Sequence, residues 1–397
     1  MRTCLSFMKH GPARSAKLEI EAGAAAIRQF IDNPGEVRFL QSIKTFAASA
    51  LFQGTLIFAK RYEFEDLMEA FLRRLVGYAD ADWTHDYKRI VVGRPVKFAG
   101  SSPDEALALA RYNQALSRFG FPQVHFVYEP VAAAFYFAEQ LKSDATVLVA
   151  DFGGGTTDYS IIRFETKGGK LTAVPVGHSG VGVAGDQFDF RIIDNVVSPQ
   201  IGKGSQFRSF DKFLDVPSNY YINFGRWNQL SIFKTLKDFQ DLKSLVRTAT
   251  EPERLEAFID LVEHDEGYPL YQAVSATKMR LSEAEETEFY FAPLGERSRR
   301  AIKRSMFEQW IADDLRAMET ALDEVMTSTG LADGDIDKVF LTGGTSFVPA
   351  VRRLFENRFS RDRIESGGEL LSIAHGLAQI GEREDEQNWT TGILAAS

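Results

Sequence analysis

Apolar positions recur at three-to-four spacing over residues 62–78, where Phe64, Leu67, Met68, Phe71, Leu72 and Leu75 would share one face. That spacing predicts an amphipathic helix. A short apolar run at 87–92 ends in Gly93-Arg94-Pro95 and reads as a strand stopped by a turn. Ser102-Pro103-Asp104-Glu105 has the form of a capping box and opens a helix that runs to 119 and stops at Gly120. A strand at 124–128 leads into Glu129-Pro130 and an alanine-rich helix to 141. The unbroken apolar strand 146–150 suits a sheet covered on both faces. It runs into Asp151-Phe152-Gly153-Gly154-Gly155-Thr156-Thr157-Asp158, with further strands at 159–164 and 171–176. The glycine turn therefore joins strands of a meander and does not open a helix.

Beyond it, helices are expected at 186–196, after a Thr250 cap, at 271–281, at 298–328, from 348 and at 369–380. Strands are expected at 288–292 and 338–342. Residues 198–250 carry few clean periods, and the first 45 residues are weakly organised. A helix over 16–31, a turn at 32–35 and at most one short strand at 36–40 are expected there. Alternating strands and helices of this kind predict an α/β fold.

The chain has 397 residues and a net charge of -9, which disfavours a nucleic-acid partner. No stretch of about eighteen apolar residues occurs, so no membrane partner is expected. Cys4 is the only cysteine, which excludes an intrachain disulfide framework and fits a reducing, cytoplasmic setting. The start carries Lys9 and His10 where a signal peptide needs an apolar segment, and the tail 381–397 reads as a frayed end.

The segment Asp151–Asp158 carries the clearest chemistry. Three successive glycines let the backbone curl with positive φ and expose consecutive N–H groups to an anion. Thr156 adds a hydroxyl, and Asp151 at a strand end suits a hydrated Mg²⁺. A plain hairpin turn needs fewer glycines and no flanking aspartates. Glu129 reads two ways: as a helix-start carboxylate favoured by the helix dipole, or as a group that positions an attacking water. Leu341-Thr342-Gly343-Gly344-Thr345-Ser346 breaks a strand into a glycine pair before a helix, a weak signal by itself.

In order, Glu129-Pro-x-Ala-Ala-Ala, Asp151-Phe-Gly-Gly-Gly-Thr, Gly185-Asp186-Gln187-Phe188-Asp189, Leu341-Thr-Gly-Gly-Thr and Ala374-His-Gly-Leu-Ala378 resemble the successive motifs of the actin/DnaK/sugar-kinase superfamily. The first and third are most similar to DnaK-type (heat-shock 70 kDa) chaperones, and the whole to their stand-alone YegD-like relatives. The resemblance covers about residues 62–380. It implies an actin-like ATPase fold with two lobes around a nucleotide cleft: lobe I at 1–143, lobe II at 144–380 with an inserted helical subdomain near 192–335. It implies ATP or ADP with Mg as cofactors, and protein clients or co-chaperones as partners.

By position, the resemblance places Asp151 at the metal shell and Gly153, Gly154, Gly155 and Thr156 around the β- and γ-phosphates. Glu129 and Asp158 would act around the attacking water, and Lys44 would reach the γ-phosphate. Gly185 and Asp186 would complete the phosphate side. Gly343, Gly344, Thr345 and Phe347 would wrap the adenosine end, with Lys278 and Ser282 near the ribose and adenine.

Three departures qualify this. The family opens with an Asp-x-Gly-Thr hairpin, but the first aspartate here is Asp32. Lobe I is then N-terminally incomplete, nucleotide binding is weak, the strands near Arg89 and Val124 have an open edge, and an in-frame extension upstream of Met1 is expected to encode the hairpin. Phe347 stands where an arginine often follows the glycine pair. Met279 and Ser275 replace polar or charged positions of the adenosine helix. Alternatives are a nucleotide-binding pseudoenzyme or interaction module without turnover and, more weakly, a sugar-kinase-like phosphotransferase.

Overall fold

The computed structural model describes residues 3–11, 17–33, 35–79, 89–96, 98, 102–121, 123–138, 144–167, 170–222, 233, 237–365 and 371–383. The chain forms two units, Met1–Tyr136 with Ile373–Ser397, and Phe137–Ser372.

In the first unit, β1 (Cys4–His10) is the centre of an antiparallel sheet of order β2-β1-β3, with β2 at Lys17–Ala22 and β3 at Val37–Gln41. Helix α1 (Gly23–Asp32) packs on it, and the buried Ser6 hydroxyl donates to Gln29 at 2.7 Å. A small hairpin, β4 (Thr55–Ile57) and β5 (Lys60–Tyr62), precedes α2 (Phe64–Tyr78). Strands β6 (Ile90–Arg94) and β7 (Val124–Tyr128) pair in parallel around the crossover helix α3 (Glu105–Ser117). Among the described residues they pair only with each other, so each keeps an open edge. Leu5, Phe7, Ile43, Leu67, Ala108 and Phe126 meet in one core.

Helix α4 (Glu129–Ala138) follows β7 directly. Ala132, Ala133 and Ala134 are buried, and a Cβ at Gly376 would collide with the Ala132 carbonyl. The small residues thus let the last helix, Ser372–Glu382, approach to backbone contact.

The second unit is built on a five-stranded sheet of order β10-β9-β8-β15-β16, with β8 at Ala145–Phe152, β9 at Thr157–Lys167, β10 at Lys170–Val181, β15 at Lys338–Thr342 and β16 at Ile364–Glu365. Strands β8, β15 and β16 run parallel, and β8, β9 and β10 form an antiparallel meander. Val147 and Val149 on one face of β8 are buried, as are Leu148, Ala150 and Phe152 on the other. Both faces are covered, as the unbroken apolar run implies. The β9–β10 ladder slips by one residue between Pro175 and Gly177, leaving Val176 as a bulge.

Helix α5 (Gly185–Ile192) continues as a π-turn, Ile193–Val197. A hairpin follows, β11 (Gln206–Ser209) and β12 (Lys212–Asp215), then α6 (Asn219–Ile222), α7 (Lys237–Leu245), α8 (Pro252–Glu263) and α9 (Gly267–Glu283). Strands β13 (Glu286–Phe289) and β14 (Arg300–Lys303) lead to α10 (Arg304–Trp310) and α11 (Ala312–Thr329), and α11 packs along β10. The chain closes through α12 (Pro349–Glu356) and α13, the Ser372–Glu382 helix.

The α/β class and the meander agree with the sequence reading. Several elements differ. The first 40 residues hold three strands, not one. β2, Lys-Leu-Glu-Ile-Glu-Ala, alternates exposed and half-buried positions, but its residue types favour helices and suggest one. Cross-strand pairing with β1 outweighs that propensity. The helix expected at 298–328 is broken, because Arg300–Lys303 pair with β13 and Ile311 leaves the helical region. Thr250 does not cap a helix: its hydroxyl donates to the Gln206 carbonyl at 2.9 Å, and Pro252 opens α8. Helix α3 starts at Glu105, with the Asp104 carboxylate accepting from the Leu107 N–H at 2.9 Å. Strand β6 runs through Gly93 to Arg94 instead of stopping there. Tyr87, the end of the alanine-rich helix at 139–141, Glu369 and the tail beyond 383 lie outside the described residues.

Candidate functional site

The site in the second unit starts from the parallel neighbours β8 and β15. Thr342 pairs with Asp151 at their C-terminal ends, so the turns that follow both strands emerge side by side. Gly343 takes φ +86°, and a Cβ there would collide with the backbone of Phe152. Glycine alone permits this approach. Gly344 faces open space, Thr345 is buried, and the Ser346 hydroxyl donates to the Gly343 carbonyl at 2.6 Å. The Phe347 ring is half exposed.

After β8, the Gly153 N–H donates to the Thr156 carbonyl at 2.9 Å and closes the turn. Gly153, Gly154, Gly155 and Thr156 are exposed. Among the described residues, the N–H groups of Gly154, Gly155 and Thr156 meet no acceptor. These donors are open, but none of Gly153, Gly154 and Gly155 takes a left-handed φ, so the positive-φ curl expected of the three glycines does not form; the Gly153–Thr156 hydrogen bond closes the turn without it. The Thr156 hydroxyl donates to Asp158 at 2.9 Å. Asp151 and Asp158 stand directly opposite each other in the β8–β9 ladder, so their side chains share a face. On β10, Gly180 pairs with Asp158, and a Cβ there would sit 2.6 Å from the Asp158 Oδ1. Burial and the Asp158 charge push the neighbouring Tyr159 hydroxyl well above its ordinary pKa.

The first turn of α5 abuts the glycine turn. The Asp186 N–H donates to the Gly154 carbonyl at 2.8 Å, and the Asp186 carboxylate lies beside Gly154. Gly185 is wedged: a Cβ there would lie 2.9 Å from the Thr345 hydroxyl and 3.3 Å from Lys278 Nζ. Lys278, on α9, donates to the Gly185 carbonyl at 2.9 Å and pairs with the buried Asp189 at 2.9 Å. It is a staple between α5 and α9. Ser282 turns its hydroxyl back onto the Lys278 carbonyl at 3.3 Å. The fold therefore gathers the predicted residues of the second unit, from Asp151 through Thr345, into one cluster.

In the first unit, Glu129 begins α4 at the end of β7, and Lys44 lies in a 3₁₀ turn, Ile43–Phe46. Lys44 Nζ lies 3.7 Å from Glu129 Oε1. A Cβ at Gly93 would lie 3.1 Å from the Glu129 Cγ, so the missing side chain leaves room for the carboxylate. Burial, aided by the Glu129 charge, pushes the Tyr112 hydroxyl well up. Beside them, the Arg94 guanidinium is buried between the Phe98 and Tyr128 rings, 5.0 Å from each centroid, and pairs with Glu105 at 2.7 Å.

Sequence reasoning did not single out Gly93, Gly180 or Asp189 for the site. Asp189 lay inside a quoted motif. Gly180 needed the bulge at Val176 to be known before its register with Asp158 could be read. No group of three or more His, Cys, Asp or Glu side chains among the described residues could by itself hold a metal ion, and no helix among them is long and apolar enough to cross a membrane.

A family model described as "Hsp70 protein" matches residues 50–207 and 243–382, most of the chain. The chain is 25% identical over 338 residues to "Chaperone protein DnaK" of Deinococcus proteolyticus, covering 83% of this chain and 44% of that protein. It is 25% identical over 314 residues to the protein of the same name from Deinococcus radiodurans, covering 79% of this chain and 42% of that one. It is also 25% identical over 303 residues to the "Stromal 70 kDa heat shock-related protein, chloroplastic" of Pisum sativum, covering 76% and 35%. The chain thus spans less than half the length of these relatives.

Proposed function

This chain belongs to the Hsp70 family, and from that membership we propose that it binds ATP or ADP with Mg²⁺ and hydrolyses ATP. The observation that supports this most is the pairing of opposites in the β8–β9 turn. Open N–H donors at Gly154, Gly155 and Thr156 suit an anion, while Asp151 and Asp158 at directly paired positions suit a cation. A phosphate group carrying Mg²⁺ answers both. Too few carboxylates cluster here to cage a metal alone, which suits an ion held chiefly by phosphate oxygens and water. When bound, Mg²⁺ would offset charge on the β- and γ-phosphates.

In this reading Gly153, Gly154, Gly155 and Thr156 cradle the phosphates, Asp151 orients the metal's water shell, and Gly185 and Asp186 close the phosphate side. Gly343, Gly344 and Thr345 take the adenosine end, where the half-exposed Phe347 ring is available to stack on the base. Lys278 and Ser282 stand on the helix assigned to the ribose and adenine. Lys44 serves the terminal phosphate, and Glu129 and Asp158 position the attacking water. Catalysis of this kind rests on positioning and electrostatics. The DnaK likeness supports a chaperone-related role with protein clients or co-chaperones, and the single buried Cys4 suits the reducing cytoplasm.

A second reading is binding without turnover. It is favoured by the Lys44–Glu129 pair, in which each group offsets the charge the other would use. Isothermal titration with ATP and with ADP, each with and without Mg²⁺, tests binding: Mg²⁺-dependent heat is expected, and no heat at millimolar nucleotide rejects the proposal. Phosphate release under the same conditions separates turnover from binding alone.

A further inference from the structure

The turn that carries Lys44 has little structure of its own. Ser42 sits in the left-handed region, Ile43–Phe46 form a single 3₁₀ turn, and the chain then winds through residues 47–54 without entering a helix or strand. Such a segment offers few backbone donors to its carbonyls. Here four carbonyls converge on one side chain, and two of these, of Phe46 and Ser49, also accept from the Ser49 and Phe52 N–H groups. Arg111, on α3, donates from Nη1 to the carbonyls of Phe46, Ala47 and Ser49 at 2.9, 3.0 and 3.1 Å, and from Nη2 to that of Phe52 at 2.7 Å. Its Nε lies 3.9 Å from Glu65, and both side chains are nearly buried, at 12% and 10% exposure. The stacked Phe46 and Phe52 rings, with centroids 4.4 Å apart, close the segment over it.

The clamp acts close to Lys44. Phe46 is the last residue of its turn and Ala47 the next, and the Ala47 N–H donates back to the Lys44 carbonyl at 3.2 Å. Only a planar guanidinium with donors in a fixed fork can reach carbonyls spread along seven residues; a lysine ammonium is a single point. Glu65 offsets the charge and leaves the fork directed at the backbone.

We propose that Arg111 is a positioning residue that sets Lys44 at its 3.7 Å spacing from Glu129 by clamping the carbonyls of residues 46–52. The proposal rests on the reading that Lys44 serves the terminal phosphate of ATP. A residue acting through Lys44 governs the preference for ATP over ADP and leaves ADP binding alone.

The test uses the full chain and isothermal titration with MgATP and MgADP on Lys44→Ala, Arg111→Lys and the double variant. Loss of one charge-assisted phosphate contact lowers ATP affinity by about tenfold. Both single variants are expected to lose that ATP preference while ADP affinity stays within about twofold, and the double variant is expected to lose no more than either single one, because coupled residues are not additive. If Arg111→Lys weakens ATP and ADP alike, or if the losses add in the double variant, Arg111 is merely structural and the proposal is overturned. Should Arg111→Lys not fold, Arg111→Gln with Glu65→Gln removes both buried charges together and is judged by the same two criteria. If Lys44→Ala itself leaves the ATP preference intact, the assignment of Lys44 falls, and the proposal with it. That failure shows in a variant in which Arg111 is untouched.

Discussion

The two units hold their candidate chemistry by opposite means. The second presents backbone: N–H groups of a glycine turn on a five-stranded sheet covered on both faces, with Gly343, Gly180 and Gly185 leaving space that any Cβ would fill. The first presents side chains, Lys44 and Glu129, in short elements: the nearly buried Arg111 binds the carbonyls that follow Lys44, and the buried Arg94 stacks on the Tyr128 ring just before Glu129. A backbone-built site is insensitive to which side chains surround it but intolerant of an added methyl group. A side-chain-built site is sensitive to the identity of distant partners and to charge.

The sharpest way to break that comparison is Gly343→Ala. The new Cβ meets the Phe152 backbone, and φ is +86°, so neither strain nor overlap can relax cheaply. A loss of about 3 kcal/mol is expected in urea unfolding. A loss under about 0.5 kcal/mol, the range of an ordinary surface change, would show that the turn is not backbone-limited. Gly180→Ala is expected to lose about 2 kcal/mol, because its Cβ lies 2.6 Å from the Asp158 Oδ1. Combining it with Asp158→Ala should restore most of that loss, and no rescue would place the strain elsewhere.

Asp151→Asn separates chemistry from stability. It keeps the size of the side chain, so the stability of the unliganded protein is expected to change by less than about 1 kcal/mol. The thermal shift caused by MgATP, which arises only from ligand bound to the folded state, is expected to vanish. A lower melting temperature with the ligand shift retained would make Asp151 structural.

The smallest effect belongs to the first unit. Burial raises the Asp66 carboxyl, but the Glu63 N–H and the Arg118 guanidinium outweigh it and hold the group below its ordinary pKa. A lowered folded-state pKa gives stability that is present above the unfolded value, about 3.9, and lost as pH falls through the folded one. The gap between wild type and Asp66→Asn is expected to be under about 1 kcal/mol at neutral pH and to close on acidification. A gap that persists below the folded pKa would mean packing, not charge.

The same contrast explains what could be read without coordinates. The glycine turn, the strand before it and the glycine pair after β15 were legible because backbone exposure has a residue signature. The α/β class followed from the apolar runs. Arg111 and Asp189 left no such signature, since their partners lie far away in sequence. β1 and β2 were missed because Ser6 and the charged residues of β2 interrupt or disguise the pattern, although Ser6 is buried and satisfied by Gln29. Propensity at 298–328 likewise hid a strand that only its pairing with β13 stabilises.

The bulged Val176 also has a bearing on how this stretch can change over time. With that extra residue present, Gly180 falls opposite Asp158. Were Val176 drawn into the ladder as an ordinary paired residue, Ser179 would take that place, bringing a hydroxymethyl group to where the carboxylate now lies. The upstream part of β10 acts as a spacer whose length sets the phase of everything after it. Point substitutions on its exposed face should accumulate freely. A single-residue insertion should be strongly selected against, even though it would fall well away from the phosphate turn, whereas a deletion that removes the bulge leaves Gly180 opposite Asp158.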